Sequence, residues 1–305
     1  MLIKLIAVAK QVLVLFALIA VGYGCTRKRL LHESAVSSLN NIILYVAIPC
    51  TLINAFQLKL TRETLYDFLV SLGCAAAIYA FNFLVSHFLV RDPDPQRKRL
   101  LTLCATVPNC NFMGFPLQTA ILGSMGVFYG SAYAGVTPLF IWTAGVIYLN
   151  GGLKSFNWKK AFLNPGIFGI FIGLAIFFTG ITLPGLVDQA VTHLANLAIP
   201  LPMIVIGSQL ARTDLRRAAG DRTVWVVAAL RLVLLPLTAL LGMYLAGVRG
   251  AVLIATTIAA AAPPAVIVAM FDKPGSTAGA EVVSLQTLCS VLTMPVVVSL
   301  AQAIA

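Results

Sequence analysis

The residues best suited to chemistry in this chain sit where prolines interrupt long apolar runs. The first cluster reads Val107-Pro108-Asn109-Cys110-Asn111-Phe112-Met113-Gly114-Phe115-Pro116. Proline removes a helix donor, clashes with the preceding turn and pushes the residue before it into extended backbone. Pro108, Gly114 and Pro116 together therefore predict a broken helix. Peptide groups freed at membrane depth are tolerated only where protein or a wet cavity satisfies them. Asn109 and Asn111 can do this, and they also offer donors to a ligand. The restarting turn, with Cys110 and Phe112, presents free amides and the positive end of a helix dipole, which suits an anion. In the second cluster, Ala262-Pro263-Pro264-Ala265, the prolines precede a restart whose first donors are Ala265, Val266 and Ile267. Two such ends facing one another predict a cationic pocket without a charged side chain. The alternative is a pair of ordinary kinks, since proline is frequent in membrane helices. Asn-x-Asn inside an apolar span argues against it, because such burial is expensive unless used.

Other polar groups fall within apolar runs. Arg231 lies about nine residues from Arg222, ~13 Å by helical rise, and a lone cation at that depth must snorkel or pair. Glu281 is its expected partner, as a structural charge pair or a group for proton or substrate charge. Ser284, Gln286, Thr287 and Ser290 can line the same region, or bond back to their own helix carbonyls. Asp67, His87 and His193 stand near span ends and read as solvated. The six cysteines show no paired zinc or redox spacing and read as small hydrophobes. No H-E-x-x-H, G-x-S-x-G, nucleotide-loop or metal motif occurs, so neither an enzyme, a cofactor, a metal nor ATP-driven transport is expected.

The elements that must position these groups are transmembrane helices. Apolar residues make up 60% of the 305 and charged residues only 10%, against roughly 25% charged in soluble domains; mean hydropathy is +0.95. The apolar blocks have the length of about 20 residues that crosses a hydrocarbon core. Reading them against Pro, Gly and charge predicts ten spans near 5–24, 35–57, 65–89, 100–123, 127–149, 162–179, 185–210, 223–246, 250–270 and 276–302. The first block has no cleavage-like site after it and is read as a span rather than a signal. A net charge of +11 suggests nucleic acid in a soluble protein, but here the basic residues lie in short loops. Arg27, Lys28, Arg29, Arg91, Arg97, Lys98, Arg99, Lys154, Lys159, Lys160, Arg212, Arg216, Arg217, Arg222 and Lys273 fall on one side. Lys4, Lys10, Lys59, Arg62 and Arg249 fall on the other. The positive-inside rule then places both termini outside the cytoplasm.

The chain also echoes itself. Val46-Ala47-Ile48-Pro49 in span 2 returns as Leu197-Ala198-Ile199-Pro200 in span 7, and Pro108 in span 4 has its counterpart in Pro263 in span 9. Offsets of 151 (200 − 49) and 155 (263 − 108) predict two five-span repeats, 1–150 and 151–305. An odd span count inverts the second, which is the secondary-transporter signature.

The span 4 motif Pro108-Asn109-Cys110-Asn111-Phe112-Met113-Gly114-Phe115-Pro116-Leu117 resembles that of the auxin efflux carrier family, which includes plant PIN proteins and bacterial relatives. Supporting likeness runs through Leu39-Asn40, Ala47-Ile48-Pro49, Asn164-Pro165, Ala198-Ile199-Pro200 with Gly207, Arg231 to Leu235-Pro236, and Thr293-Met294-Pro295. The resemblance implies an all-α membrane protein similar to bile-acid sodium symporters, with ten transmembrane helices in two inverted five-helix repeats. Helices 4 and 9 would be broken and cross at their prolines. It further implies a scaffold (1–57 and 162–210), a moving transport domain (65–149 and 223–302) and a homodimer through the scaffold. Asn109 matches the residue that helps hold a substrate carboxylate in the plant relatives. Thr137 stands where relatives often carry asparagine, Thr287 where the family usually has a hydroxyl, and Pro264 where plant members usually have glutamine. The long central loop of the plant proteins is missing. The implied function is elevator-type transport of a small mono- or dicarboxylate across a bacterial inner membrane. Glu281 is the only acid well inside a span, which favours facilitated or proton-linked over sodium-linked movement. The alternative is a channel or sensor that binds an organic anion without carrier transport.

Overall fold

The computed structural model describes residues 2–151, 165–272 and 276–305. The expected opening of span 6 at 162, Asn164 and the basic residues Lys154, Lys159, Lys160 and Lys273 lie outside the described residues. Within them the protein is all helix, with no strands. In chain order the helices are α1 (Leu2–Arg27), α2 (Glu33–Phe56), α3 (Arg62–Leu89), α4 (Pro95–Thr106), α5 (Phe115–Leu122) and α6 (Ser124–Asn150). There follow α7 (Pro165–Thr179), α8 (Gly185–Arg212), α9 (Arg222–Leu245), α10 (Gly250–Ala261) and α11 (Ala278–Ile304). Seven of these, α1, α2, α3, α6, α8, α9 and α11, are long and apolar enough to cross a membrane. The remaining expected spans differ in form. Span 6 is described from Pro165 on, as α7, span 4 is represented by α4 and α5 with the turn Cys110–Gly114 between them, and span 9 by α10 followed by the single turn Val266–Ala269.

Local chemistry explains where helices start and widen. Thr61 opens α3 with a reciprocal capping pair, accepting from the Thr64 amide at 3.1 Å while the Thr64 hydroxyl accepts from the Thr61 amide at 2.9 Å. Asp94 caps α4, whose first residue is Pro95, and Asp221 caps α9. Wide π turns at Ile43–Ala47, Cys110–Gly114 and Leu230–Leu234 each precede a proline, Pro49, Pro116 and Pro236. Proline crowds the carbonyl four residues back, and widening the turn moves that carbonyl aside.

Two helix pairs pack through glycine. A Cβ on Gly22 of α1 would meet the Ile204 carbonyl oxygen of α8 at 2.2 Å, and one on Gly207 would meet the Ile19 oxygen at 2.0 Å. Likewise Gly169 and Gly173 of α7 lie against Pro49, Leu52 and Phe56 of α2, where a Cβ would fall 2.7–2.9 Å from the nearest atom. Small residues let backbones approach where lipid supplies no hydrophobic drive. Phe56, Phe68, Phe128 and Phe177 then join α2, α3, α6 and α7, with ring centroids 4.9–6.4 Å apart. Phe81, Leu84, Phe88, Phe171, Leu245 and Leu292 are exposed on the outside, as a lipid-facing surface requires.

Candidate functional site

The site grows from two interruptions. Helix α4 stops at Thr106, and Val107 before Pro108 is extended (φ −97°, ψ 109°). Helix α10 stops at Ala261, with Ala262 extended before the two prolines (φ −62°, ψ 146°). The two extended segments lie antiparallel, with Pro108 opposite Pro264. Neither proline can donate, so their neighbours do: the Asn109 amide donates to the Pro263 carbonyl at 2.7 Å, and the Ala265 amide to the Val107 carbonyl at 2.9 Å. These bonds exchange under one offset of 156 (264 − 108, and 265 − 109). Pro108 is thus paired with Pro264, one residue beyond the Pro263 match read from the sequence.

The crossing separates the freed peptide groups by polarity. On one side stand the carbonyl ends of α4 and α10, and Arg231 reaches both. Its Nη1 donates to the Ala105 and Thr106 carbonyls at 3.2 and 3.3 Å, its Nε to the Ala262 carbonyl at 3.0 Å, and its Nη2 to the Ala260 carbonyl. Arg231 is completely buried. Burying such a charge costs several kcal/mol, and four charge-assisted bonds of roughly 1.5–3 kcal/mol each offset it. The expected Arg231–Glu281 pair is not formed. Glu281 accepts from the Thr277 hydroxyl at 2.6 Å and stands 4.0 Å from Arg217. The reason is position: Glu281 is in the first turn of α11, beside the short helix Leu215–Ala219, whereas the broken helix ends present carbonyls directly to Arg231.

On the other side, Pro108, Asn109, Cys110, Asn111 and Phe112 from the first break, Ala265 and Val266 from the second, and Thr137 from α6 line one cavity of about 290 Å³. Asn109 Oδ1 accepts from the Phe112 amide at 3.2 Å, capping the restarting turn, while its Nδ2 has no hydrogen-bond partner although buried. The amides of Cys110 and Asn111 belong to the first turn and have no intrahelical acceptor. Thr137 holds the wall: its hydroxyl donates to the Tyr133 carbonyl at 3.0 Å and lies 2.7 Å from Tyr79 Oη and 3.2 Å from Cys110 Sγ.

The remaining candidates are elsewhere. Pro263 and Pro264 build the crossing but do not line the cavity, and buried Gly114 packs towards Ala259. Thr287 returns its hydroxyl to the Val283 carbonyl at 2.7 Å, and Gln286 is buried with neither amide atom bonded. Neither lines the cavity, a point that the sequence left open. Sequence reasoning missed Ser37, Asn40 and Asn41 of α2 and Trp142 of α6, all of which line it. The signal was present, since 37, 40 and 41 are spaced to share one helix face. The expectation of two opposed dipole ends also changes. After Pro264 only the single turn Val266–Ala269 forms, so the positive end facing the cavity is that of Cys110–Leu122.

The membrane transport protein family model matches residues 7–157 and 152–298. The chain belongs to this family. It is the family of the auxin efflux carriers, made up of membrane transporters rather than enzymes, and the chain is a multi-pass membrane protein. Among relatives, an uncharacterized transporter of Methanothermobacter thermautotrophicus is 26% identical over 265 residues, 86% of each chain. A putative malonate transporter of Rhizobium meliloti is 25% identical over 264 residues, 83% of this chain and 82% of that one. Auxin efflux carrier component 1 of Arabidopsis thaliana is 30% identical over 120 residues, 38% of this chain and 19% of the plant protein. For this family member, Asn109 is therefore the residue at which cap, cavity and unpaired donor coincide.

Proposed function

We propose that this protein is a secondary carrier that moves a small organic anion, a mono- or dicarboxylate, by elevator-type alternating access about the helix crossing. The observation that carries the reading is the cavity lined by Asn109, Cys110 and Asn111 at the restarting turn, where the buried Asn109 Nδ2 has no hydrogen-bond partner. A helix N-terminus carries roughly half a positive charge, and an amide donor in a low-dielectric site strengthens carboxylate binding. The name of the Rhizobium relative, a putative malonate transporter, supports the same solute class.

In this reading the divided helices and α7 complete ten crossings in two inverted repeats. The paired bonds at the crossing support it, as does the packing of α1 on α8 and of α7 on α2, which are counterparts by element order in such a repeat. Helices α1, α2, α7 and α8 are the scaffold and the remainder moves. A second cavity of about 190 Å³, lined by Thr51, Asn54, Phe115, Thr119 and Asn196 among others, lies by the C-terminal end of α2 and the start of α5 and suits release on the opposite face. In this reading both termini lie outside the cytoplasm of a bacterial inner membrane, which the excess of Lys and Arg in the loops of one side supports, and a scaffold-mediated homodimer fits the elevator.

The test is counterflow of labelled malonate and monocarboxylates in proteoliposomes, with Asn109→Ala alongside. Saturable exchange in the wild type, lost in a folded variant, is the expected result. Ohmic current indicates a channel and binding without flux a sensor; either outcome overturns the proposal.

A further inference from the structure

Arg231 goes beyond the carrier reading and rests on it only for the location of the solute site. Each helix C-terminus carries roughly half a negative charge, so the ends of α4 and α10 together present about one. Half-helix C-termini and unwound carbonyls of this kind are where membrane carriers coordinate a coupling cation. Here that position is filled from within. The guanidinium is wholly buried, donates to four carbonyls drawn from both ends, and has no carboxylate partner among the described residues. Its charge does not titrate in proteins, and its planar fork matches carbonyls arranged on two sides.

We propose that Arg231 is a tethered counterpart of a coupling cation: a positioning residue that closes the crossing with a permanent charge, so that the site assembles without sodium, potassium or lithium. The arrangement is asymmetric. Under the offset of 156 between the two breaks, the sequence counterpart of Arg231 is Ala75 (231 − 156), which carries no charge, so one side chain serves both carbonyl ends. The solute then balances a charge already present, and no inorganic cation enters with it at this position.

Two measurements on purified full-length protein decide this without any solute, so their outcome is separate from that of the carrier reading. The first is equilibrium binding of radioactive sodium, together with thermal unfolding in sodium, potassium, lithium and choline chlorides at equal ionic strength. The wild type is expected to bind no sodium saturably and to unfold at the same temperature in all four salts. The second is rescue. Arg231→Ala is expected to unfold at a lower temperature and to recover part of the loss in millimolar ethylguanidinium, which leaves the wild type unchanged; Arg231→Lys is expected to fall between. Saturable sodium binding by the wild type overturns the proposal, as does an identical response of Arg231→Ala and wild type to ethylguanidinium. If Arg231→Ala does not fold, the wild-type sodium measurements and the Lys variant decide.

Discussion

Replacing Asn109 by aspartate separates the two jobs of this side chain. Asp is as good an N-cap as Asn, so the Oδ1 bond to the Phe112 amide, 3.2 Å long, is kept, while the second carboxylate oxygen, buried without a partner, lowers stability. The unpartnered Nδ2 is exchanged for a negative oxygen. Losing one donor to a charged ligand removes about 1.5–3 kcal/mol. A carboxylate placed ~5 Å from the solute's own charge adds about 3 kcal/mol of repulsion at an effective dielectric of 20. Together these weaken anion binding by at least ~10³-fold. Trp142 lines the same cavity, so its fluorescence reports binding directly, with Trp142→Phe as the control for signal origin. Asn109→Ser, which keeps a capping oxygen without the amide, is expected to lose only the donor contribution, ~10–150-fold. Wild-type affinity in Asn109→Asp, in a variant that still unfolds cooperatively, refutes the reasoning.

Further outcomes follow from packing and loops. Gly207→Ala puts a methyl 2.0 Å from the Ile19 oxygen and is expected to force α1 from α8, at about 1–3 kcal/mol or more, whereas Gly24→Ala, with open space around it, leaves the melting temperature unchanged. Thr137→Val removes the hydroxyl between Tyr79 and Cys110; unfolding should shift by about 1–3 kcal/mol, with solute affinity falling as the cavity wall loosens. Partial burial works to raise the Asp221 carboxyl pKa, but the Arg97 hydrogen bond and the Thr223 amide outweigh it and hold the group below the usual range. Its contribution to stability is therefore present above the unfolded value of about 3.9 and is lost as pH falls through the lower folded value. Asp221→Asn, followed by thermal melts against pH, should flatten that part of the acid limb.

The membrane class and the family could be read from the sequence because apolar block length and the Pro108–Pro116 motif are strictly local signals. Seven long helices meet the length rule unaided; the divided segments do not, because proline defeats a count based on continuous runs. The cavity-lining residues from 108 to 112, with Thr137, Ala265 and Val266, share their cavity because the breaks that expose them also build it. Arg231 could be recognised as costly but not assigned its partners, since the carbonyls that hold it are backbone groups freed by the fold and carry no letter in the sequence. The tandem Pro263-Pro264 left the pairing register ambiguous by one residue. Asn40 and Asn41 went unassigned because a polar helix face has no meaning until a neighbouring cavity is known.

The measurement nearest to the central claim is solute protection at the crossing itself. Asn111 is only partly buried and lines the cavity, so Asn111→Cys can be labelled with an anionic methanethiosulfonate in membranes. If the carboxylate travels past the restarting turn, malonate or another transported carboxylate slows labelling saturably, with the same half-saturation as transport. Labelling at an unchanged rate under a solute that is demonstrably carried would contradict the account, because the anion would then cross somewhere else.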